Sequence, residues 1–400
     1  MKVVIMAGGK GTRVASINSD VPKPMLQIAG KPVLEHQIDC LKRQSINDIT
    51  LIIGHLGNVI KDKFSDNVSY IEEKEPLGTA GALYYLKNII EDDFLLLNGD
   101  IIFDVDIERF RNFHKQHKGL ATLLTHPNDH PYDSGVVVAD KNNKVVQWLT
   151  KEDERGWYKN RVNAGLHMLS PKFLDRFTSI QKLDLDRDIF KTMIKENSLY
   201  AYNSPEYVKD IGSPDRFYIA EHDILTNKVQ SKNLGTKQKA IFLDRDGTIN
   251  KYVGFLTNID EFELIDSTID IIKYANNQCY LVIVVTNQPV IARGDLSWIQ
   301  LTEIHNKMET LLGLKGAYID DIFICPHHPD KGFEGERVEY KIDCFCRKPK
   351  PGMLLRAAEK YNIDLSQSYM LGDSEGDILA GSAAGCKSMF IKDFKINMLT

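Results

Sequence analysis

Apolar and polar residues alternate along the first half of the chain in two rhythms. Short apolar runs have the length of buried strands, and they alternate with longer stretches that carry apolar residues at helical spacing. The predicted strands and helices that begin this series are, in order, Val3–Met6, Val33–Arg43, Ile49–Ile53, 80–90 and 94–97. This order predicts α/β units, in which helices connect the strands of a sheet.

The apolar runs that follow are short and are separated by turn residues, so the sheet is predicted to become mixed. Helical patterning then returns twice. The later strands are predicted at 121–125, 135–139, 145–149 and 164–169, and the later helices at 188–196 and Pro214–Leu225.

A linker is predicted at residues 226–238, because residues 226–239 contain four lysines, no acidic residue and few large apolar side chains. A new α/β pattern follows it, with strands at Ala240–Leu243, 280–285 and 369–371 and a helix at 350–361. The sequence therefore predicts two α/β domains: a Rossmann-like domain with a mixed sheet at 1–225, and a second domain with a parallel sheet at 239–400.

Composition and charge narrow the class of protein. Hydrophobic residues make up 43% of the 400 residues and charged residues 26%, which is typical of a folded protein and excludes disorder as the main state. The formal net charge is −5 and no long basic run occurs, so no nucleic-acid partner is expected.

No membrane span and no secretory leader are expected. Apolar runs such as 281–285 are far shorter than the ~18–20 residues that cross a bilayer. The apolar run at 1–6 reaches a glycine-rich turn too soon for a leader and has no cleavage site, so we expect a cytoplasmic protein. Six cysteines are too few for a disulfide scaffold. The sequence leaves the oligomeric state open.

A glycine-rich turn directly follows the first predicted strand. Its residues that could approach an anion through the backbone are Gly8, Gly9, Gly11, Thr12 and Arg13. The spacing fits neither the dinucleotide-binding fingerprint nor the Gly-Lys-Ser/Thr of a P-loop. Taken alone, such a turn is as often a plain tight turn as a phosphate-binding loop.

Three further residues strengthen the case for a phosphate site. Lys23 lies between two prolines, which fix the direction of its side chain. Asp100 follows a buried strand, where open α/β sheets place ligand sites, and Asp210 precedes a predicted helix. Two carboxylates suit Mg²⁺ bound to phosphates, although helix capping is the alternative for an aspartate before a helix.

The first half resembles the sugar-1-phosphate nucleotidyltransferases over about residues 1–225. The matching motifs, in order, are Gly8-Gly9-Lys10-Gly11-Thr12-Arg13, Pro22-Lys23-Pro24-Met25, Glu75-Pro76-Leu77-Gly78-Thr79-Ala80, Asn98-Gly99-Asp100, Asn163-Ala164-Gly165 and Asp210-Ile211-Gly212. The usual Glu-Lys pair before the Asn-Ala-Gly motif is replaced by Lys151-Glu152.

The resemblance implies a nucleoside triphosphate on the glycine loop, with Arg13 and Lys23 balancing its charge as catalytic residues. It also implies Mg²⁺ at Asp100 and Asp210. The base is expected near Glu75, Gly78 and Thr79, and the sugar near Asn163 and Gly165. In this chemistry a sugar-1-phosphate oxygen attacks the α-phosphorus and pyrophosphate leaves, so no protein nucleophile is required.

The second half places polar signatures after its predicted strands. Asp244 and Asp246 follow one strand at a spacing that puts both carboxylates on one side. Asp-x-Asp alone is common on surfaces, but companions occur at other strand ends or before a helix. They are Thr286-Asn287-Gln288, Arg347-Lys348-Pro349 and Gly372-Asp373-Ser374-Glu375-Gly376-Asp377.

These signatures resemble the haloacid-dehalogenase phosphatases over about residues 239–393. The resemblance implies that Asp244 is a nucleophile and that Asp246 protonates the leaving oxygen and then activates water. It implies phosphate contacts from Thr286, Asn287, Arg347 and Lys348, and Mg²⁺ at Asp244, Asp246 and Asp373.

A cluster of soft ligands lies in the same half. Cys325, His327, Cys344 and Cys346 supply three thiols and one imidazole, a complete tetrahedral set for structural zinc. The one-residue spacings are tighter than those of common zinc fingers, so a chance cluster is the alternative.

The zinc loop and the Asp244–Asn250 motif resemble the D-glycero-D-manno-heptose-1,7-bisphosphate phosphatases, and histidinol-phosphate phosphatases share much of the pattern. Pro289-Val290 stands where the heptose family usually has Ser-Gly. The two resemblances name successive steps, because the phosphatase product is a sugar 1-phosphate. Together they imply a bifunctional enzyme that makes GDP-heptose from heptose 1,7-bisphosphate, GTP and Mg²⁺.

Two alternatives stay open at this point. One is a mannose- or glucose-1-phosphate nucleotidyltransferase fused to a phosphatase of another small ester, such as histidinol phosphate. The other is a sugar-nucleotide sensor that regulates a phosphatase. The presence of Arg13, Lys23, Asp100 and Asp210 argues against a sensor, because binding alone does not require both metal carboxylates.

Overall fold

The computed structural model describes residues 1–9, 21–332 and 334–399, and these form two compact units. Unit 1 consists of Met1–His126, Val137–Leu149 and Asn163–Asn233. Unit 2 consists of Pro127–Val136, Thr150–Val162 and Leu234–Thr400. Unit 2 thus includes two segments from within the first half of the chain. The domain limits 1–225 and 239–400, with a linker at 226–238, stay a prediction.

The strands and helices of unit 1 include the predicted strands and the predicted helices Val33–Arg43 and Pro214–Leu225, with further elements between them. The strands are β1 Val3–Met6, β2 Gln27–Ile28, β3 Lys31–Pro32, β4 Ile49–Ile53, β5 Ser69–Glu72, β6 Phe94–Asn98, β7 Ile101–Asp104, β8 Ala121–His126, β9 Val136–Ala139, β10 Val145–Leu149, β11 Val162–Leu169, β12 Leu199–Asn203 and β13 Tyr207–Asp210. The helices are α1 Val33–Arg43, α2 Gly57–Phe64, α3 Ile107–His117, α4 Lys191–Ile194, α5 Pro214–Leu225 and α6 Lys228–Ser231.

Among the described residues, the largest sheet of unit 1 has nine strands and is mixed, which confirms the predicted sheet. Strands β6, β1, β4 and β5 are parallel neighbours, whereas β11 pairs antiparallel with β6 and β9. Strands β8 and β12 extend the sheet through β11. A separate antiparallel pair joins β7 and β13. Because β1 and β6 are central and parallel, their carboxyl ends meet at one edge, which is where the predicted phosphate loop begins.

Unit 2 has a parallel five-stranded sheet, as predicted for a haloacid-dehalogenase-like domain. Its order is β16-β15-β14-β17-β18, so β14 is central. The strands are β14 Ala240–Leu243, β15 Leu281–Asn287, β16 Asp321–Cys325, β17 Tyr369–Gly372 and β18 Lys387–Phe390. The helices are α7 Asp266–Asn277, α8 Val290–Arg293, α9 Trp298–Leu314, α10 Gly352–Tyr361 and α11 Glu375–Ala384.

Both sheets are buried on two faces. Within unit 1, Val3 and Ile5 of β1 pack into one apolar cluster, while Val4 packs into another on the opposite face. In unit 2, Ile241 and Phe242 of β14 divide between two clusters in the same way. Alternating side chains of a strand point to opposite faces, so near-continuous apolar strands are what a sheet covered on both sides requires.

Two amphipathic stretches differ from a regular α-helix. Residues 80–90 contain a 3₁₀ helix at Gly81–Leu86. The start of this helix is held by a contact with another segment of the chain, because Ala80 N–H donates to the Leu183 carbonyl at 3.1 Å. Residues 188–196 overlap a π-helix at Leu185–Phe190 that leads into α4. The predicted linker contains α6 and the buried side chain of Val229.

A buried ion pair ties the segment Thr150–Val162 to the rest of unit 2. The Arg161 guanidinium lies 3.1 Å from a Glu309 oxygen on α9, and both side chains are buried. Arg161 also donates to the Asp320 carbonyl at 2.7 Å. At the next residue of α9, the Thr310 hydroxyl accepts a hydrogen bond from Tyr158 N–H at 2.9 Å. Burial raises the pKa of Glu309, against the opposing charge of Arg161.

A search of the described residues finds no helix that combines the length and the apolar character of a bilayer span.

Candidate active sites

The two predicted metal carboxylates of unit 1 are neighbours. Asp100 directly precedes β7, and Asp210 ends β13 and pairs with Ile101. The Asp100 carbonyl accepts a hydrogen bond from Ile211 N–H at 3.0 Å, which fixes the two backbones side by side. Asp100 also follows the end of the central strand β6. The sequence therefore uses strand ends to place both carboxylates at the edge of the main sheet.

Lys23 is buried against this carboxylate pair. It begins a short 3₁₀ helix after Pro22, and its ammonium lies 2.5 Å from an Asp100 oxygen. Burial alone would raise the pKa of Asp210, but the charge of Arg216 and a hydrogen bond from Gly212 N–H, with a contribution from Lys23, lower it below its ordinary value. The Arg216 guanidinium lies 2.8 Å from Asp210. The arrangement balances two carboxylates with two cations.

Only part of the glycine loop belongs to the described residues. Gly8 and Gly9 follow β1, whereas Gly11, Thr12 and Arg13 lie outside the described residues. The Glu73 carboxylate lies directly against Gly8, and burial raises the pKa of this carboxyl. The assignment of all five loop residues to nucleotide binding stays a prediction.

The segment predicted to face the base is held by residues 183–185, which lead into the π-helix at Leu185–Phe190. Gly78 forms a parallel bridge with Leu183, and the Thr79 hydroxyl accepts a hydrogen bond from Leu185 N–H at 2.8 Å. Glu75 is exposed. These contacts fix the backbone of the loop and leave Glu75 open to solvent.

The predicted sugar residues lie at the start of β11. The Asn163 side-chain oxygen accepts hydrogen bonds from Gly165 N–H at 3.3 Å and lies 3.1 Å from the His167 ring nitrogen. Its amide nitrogen lies 3.5 Å from Asp186. Desolvation, together with the charge of Asp184, raises the pKa of Asp186 to about 6. The Asn163 side chain is therefore oriented by two polar groups on its own strand and one on the π-helix.

In unit 2, three strand ends bring the phosphatase signatures together. The Lys348 ammonium lies 2.8 Å from Asp244, which follows β14, and 2.5 Å from Asp377 on α11. Burial opposes the charge of Lys348, but the two carboxylates raise its pKa above the ordinary value. Burial also raises the pKa of Asp244 to about 6, with Lys348 opposing this change and Asp377 adding to it. The nucleophile predicted from the sequence thus lies within an ion-pair network.

The two carboxylates that contact Lys348 can also hold a metal cation together with Asp373. One oxygen each from Asp244, Asp373 and Asp377 lie within 4.8 Å of one another. Gly247 has φ +79°, and a Cβ there would lie 2.0 Å from an Asp373 oxygen, so only glycine permits this approach. Hard oxygen ligands suit Mg²⁺, and the residues present therefore fit this ion.

Asp246 points its carboxylate at other partners. Its oxygens accept hydrogen bonds from Gln288 at 2.8 Å, Asn250 at 3.1 Å and the Arg245 guanidinium at 2.8 to 3.1 Å. Thr286 is buried, and its hydroxyl accepts a second hydrogen bond from Gln288 at 2.9 Å. The predicted role of Asp246 in the magnesium site stays a prediction.

Asn287 and Arg347 hold the loop that carries Lys348. The Asn287 amide donates to the Lys348 carbonyl and accepts from Lys348 N–H, both at 3.1 Å. Arg347 donates to the His327 carbonyl at 3.0 Å. These contacts orient the phosphate-facing lysine, and direct phosphate contacts by Asn287 and Arg347 stay predictions.

The four predicted zinc ligands lie together. The sulfur atoms of Cys325, Cys344 and Cys346 are 3.2 to 3.5 Å apart, and the His327 ring nitrogen lies 3.4 Å from Cys346. A tetrahedron of ligands at ~2.3 Å from zinc has edges of ~3.8 Å, so the donor set and spacing fit a tetrahedral ion. Cys325 ends β16 beside Asn287, and Cys346 directly precedes Arg347. The cluster therefore braces the loop of Lys348.

Sequence reasoning missed three carboxylates: Asp377, Asp186 and Glu73. Asp377 lies in a motif that was recognised, but its place in a Ser-x-x-Asp helix start is typical of capping, and it does cap α11 with Ser374. Its second oxygen reaches Lys348 across 29 residues, a contact without a local signal. The contacts of Asp186 with Asn163 and of Glu73 with Gly8 also join residues that are far apart in the sequence.

Comparisons with known proteins find a family match in each half of the chain. Residues 2–227 match the nucleotidyl transferase family model, and residues 345–393 match the HAD-hydrolase-like model. The chain is 31% identical over 227 residues to a mannose-1-phosphate guanylyltransferase catalytic subunit beta of Xenopus tropicalis, covering 54% of this chain and 62% of that protein. It is 32% identical over 244 residues to a probable mannose-1-phosphate guanylyltransferase 1 of Oryza sativa, covering 58% and 66%.

Among solved structures, HddC from Yersinia pseudotuberculosis is similar, with a TM-score of 0.50 and 27% identity. The match covers 56% of this chain and 99% of HddC. The chain spans less than two thirds of the length of the two curated relatives. Their similarity therefore covers one part of each protein.

Proposed function

Because the chain belongs to the nucleotidyl transferase family, we propose that it is a bifunctional enzyme that makes a nucleoside diphosphate sugar. Its C-terminal site removes one phosphate from a sugar bisphosphate, and its N-terminal site transfers a nucleotidyl group to the sugar 1-phosphate that results. The observation that carries this proposal is the presence of two charge networks among the described residues, one around Lys23 and one around Lys348, in a chain that matches a family model at each.

The transfer step needs positioning and charge balance. A sugar-1-phosphate oxygen bonds to the α-phosphorus of the triphosphate as the bond to pyrophosphate breaks. The Lys23 ammonium neutralises charge beside Asp100 and Asp210, and the backbone of Gly8 and Gly9 approaches the phosphates. Mg²⁺ held by Asp100 and Asp210 supplies further charge neutralisation when bound. No side chain forms a covalent intermediate in this step.

The phosphatase step uses a covalent nucleophile. An Asp244 oxygen bonds to phosphorus while the bond to the sugar oxygen breaks, and Asp246 gives that oxygen a proton. Asp246 then takes a proton from the water whose oxygen bonds to phosphorus, and the bond to Asp244 breaks. Lys348 and Thr286 hold the phosphoryl group. Mg²⁺ held by Asp244, Asp373 and the Asp246 carbonyl offsets phosphate charge when bound, and Asp377 lies beside this group.

We propose GTP as the nucleotide and D-glycero-D-manno-heptose 1,7-bisphosphate as the first substrate. The guanylyltransferase names of the two relatives support GTP, and the resemblance of the zinc loop and of Asp244–Asn250 to heptose bisphosphate phosphatases supports the sugar. The second candidate acceptor is mannose 1-phosphate, because both relatives are named for it. We also propose that the Cys325, His327, Cys344 and Cys346 cluster holds structural zinc.

The test is a reaction with purified full chain, Mg²⁺, each of the four nucleoside triphosphates and each candidate sugar phosphate. Heptose 1,7-bisphosphate with GTP should give GDP-heptose, one orthophosphate and one pyrophosphate. Transfer only to mannose 1-phosphate would select the second acceptor. Hydrolysis of the anomeric phosphate first would refute the proposed order, because the transfer site needs that phosphate as its nucleophile.

A further inference from the structure

Arg245 has an uncommon place in unit 2. It stands between the proposed nucleophile Asp244 and the proposed proton carrier Asp246 in the sequence, yet its side chain is fully buried with 0% exposure. A buried guanidinium is destabilising unless its N–H groups find acceptors. The hydrogen-bond acceptors of the Arg245 side chain therefore indicate its role.

The Arg245 guanidinium donates three hydrogen bonds to the Asp246 carboxylate. Its Nε donates to Asp246 Oδ1 at 3.1 Å, and its Nη2 donates to Oδ1 at 2.9 Å and to Oδ2 at 2.8 Å. Nη2 also lies 3.1 Å from the Gln288 side-chain oxygen, and Nη1 lies 3.1 Å from the His305 ring. Planar, forked donation of this kind fixes the orientation of a carboxylate as well as its place.

The other groups around Asp246 complete the clamp. The Gln288 amide donates to Oδ2 at 2.8 Å, and Asn250 donates to Oδ1 at 3.1 Å. Behind the guanidinium, burial and the charge of Arg245 lower the pKa of His305 well below its ordinary value, so a neutral ring faces Arg245 as an acceptor. The charge of Asp246 in turn contributes to the raised pKa of Asp373, after burial and the larger effect of Asp377.

We propose that Arg245, together with Gln288, is a positioning residue that fixes the Asp246 carboxyl for proton transfer to the leaving oxygen. This inference rests on the proposed phosphatase function. In the step concerned, the Asp244–phosphorus bond forms, the bond from phosphorus to the alcohol oxygen breaks, and the Asp246 proton moves to that oxygen. The Arg245 guanidinium acts through the Asp246 carboxyl and takes no part in the bond changes at phosphorus.

The backbone of Arg245 makes its side chain testable. Its N–H donates to the Asp244 carboxylate at 2.7 Å, and a side-chain substitution leaves that contact in place. A variant at this position can therefore disturb Asp246 while keeping the nucleophile supported. Loss of leaving-group protonation should matter for an alkyl phosphate and should not matter for an aryl phosphate whose leaving group needs no proton.

The experiment compares Arg245→Met with wild-type full chain in rapid-mixing assays with two esters. The first is a sugar phosphate ester, and the second is 2,4-dinitrophenyl phosphate. The measured quantity is the rate of the first turnover, which reports formation of the aspartyl-phosphate. We expect Arg245→Met to lose about 10²-fold or more with the sugar ester and to stay within about threefold of wild type with the dinitrophenyl ester.

Arg161→Met is the matched control, because it also removes a buried, ion-paired arginine of unit 2 but has no hydrogen bond to Asp246. It should change both esters by the same factor. Gln288→Met removes one hydrogen-bond donor to Asp246 and should show a smaller loss that is again confined to the sugar ester. If Arg245→Met does not fold, Gln288→Met serves as the test of the positioning role.

The outcomes separate the two proposals. Equal losses with both esters in a folded Arg245→Met protein, or no loss with either, would overturn the positioning role. The same holds if Gln288→Met, used in its place, lacks the selective loss. A wild-type protein that releases no alcohol from either ester would instead overturn the phosphatase function, and the inference would fail with it.

Discussion

Both sites place a buried lysine against carboxylates, but they differ in how much of the site exists before substrate arrives. Around Lys23, Asp100 and Asp210 expose 35% and 45% of their side chains. Around Lys348, Asp244 exposes 15% and Asp377 1%. The transfer site leaves its carboxylates open to incoming ions and phosphates, whereas the phosphatase site covers Asp244 and Asp377 and leaves only Asp373 of its three carboxylates exposed.

The difference follows from the two chemistries. Transfer between two phosphate-bearing substrates needs a surface that receives large anions, and their phosphates complete the charge balance. A covalent nucleophile has to be held at one place before substrate binds, so it requires fixed neighbours. Single substitutions in the transfer site should therefore reduce its activity partially. Removal of the nucleophile should abolish the activity of the phosphatase site.

The sharpest test of this contrast is Asp244→Asn. Loss of the nucleophile should reduce phosphatase turnover by about 10⁴-fold or more. GDP-heptose should then form only when heptose 1-phosphate is supplied, with nucleotidyl transfer within about twofold of wild type, because Asp244 belongs to unit 2 and the transfer residues belong to unit 1, and substitutions at independent sites do not affect one another. Product analysis by chromatography measures both. The exposed Asp270→Asn is the control, and joint loss of both activities would contradict separate sites.

The corresponding change in unit 1 is Lys23→Met. Removing one charge-balancing group from a site without a covalent nucleophile should reduce pyrophosphate release by about 10² to 10³-fold and leave phosphatase activity intact. Lys31→Met, an exposed lysine paired with Asp39, should be near wild type. If Lys23→Met abolishes transfer as completely as Asp244→Asn abolishes hydrolysis, the contrast between the two sites is wrong.

Metal content tests the bracing of the phosphatase loop. Wild-type protein purified without added metal should contain about one zinc per chain by elemental analysis. Cys344→Ser should lose that zinc and about 3 kcal/mol of stability, seen as a fall of about 10 °C in the melting transition of unit 2. Cys279→Ser, outside the cluster, should keep the metal. Zinc-free wild-type protein with full phosphatase activity would contradict a structural ion.

The smallest expected effect concerns the sugar side of unit 1. Gly165 has φ +76°, and a Cβ there would lie 2.7 Å from the Asn98 amide. Gly30 has φ +83° with open space around it. Both alanine variants should lose about 1 kcal/mol because the left-handed backbone disfavours a side chain, and Gly165→Ala should lose more because its Cβ meets the Asn98 amide. Only Gly165→Ala should raise the KM for sugar 1-phosphate, and an equal KM in both variants would remove Gly165 from the sugar site.

The sequence predicted those parts of the molecule that depend on local pattern. The strand Val3–Met6 and the helix Pro214–Leu225 have the bounds that their apolar runs predicted. The mixed and parallel sheets are confirmed. Polar residues at strand ends, together with their companion motifs, made Asp100 and Asp244 candidates, because carboxyl ends of parallel strands meet at one edge, and their roles stay predictions.

The rest depends on contacts between distant parts of the chain. Asp377 and Lys348 meet only because α11 and the zinc loop converge on β14, and no spacing in the sequence encodes that meeting. The π-helix at Leu185–Phe190 likewise depends on hydrogen bonds to residues 77–80. The roles given to Arg13, Thr12 and Gly11 stay predictions, since these residues lie outside the part of the chain that the structure describes.

The ion pair of Arg161 with Glu309 limits where the gene can be divided. A fragment that begins at residue 239 encodes α9 without the segment Thr150–Val162, and so leaves the buried Glu309 carboxylate without its cation. Stranding one member of a buried ion pair costs about 3 to 5 kcal/mol. Exchanging this phosphatase for that of another protein by recombination at 226–238 would therefore require residues 150–162 to be exchanged with it.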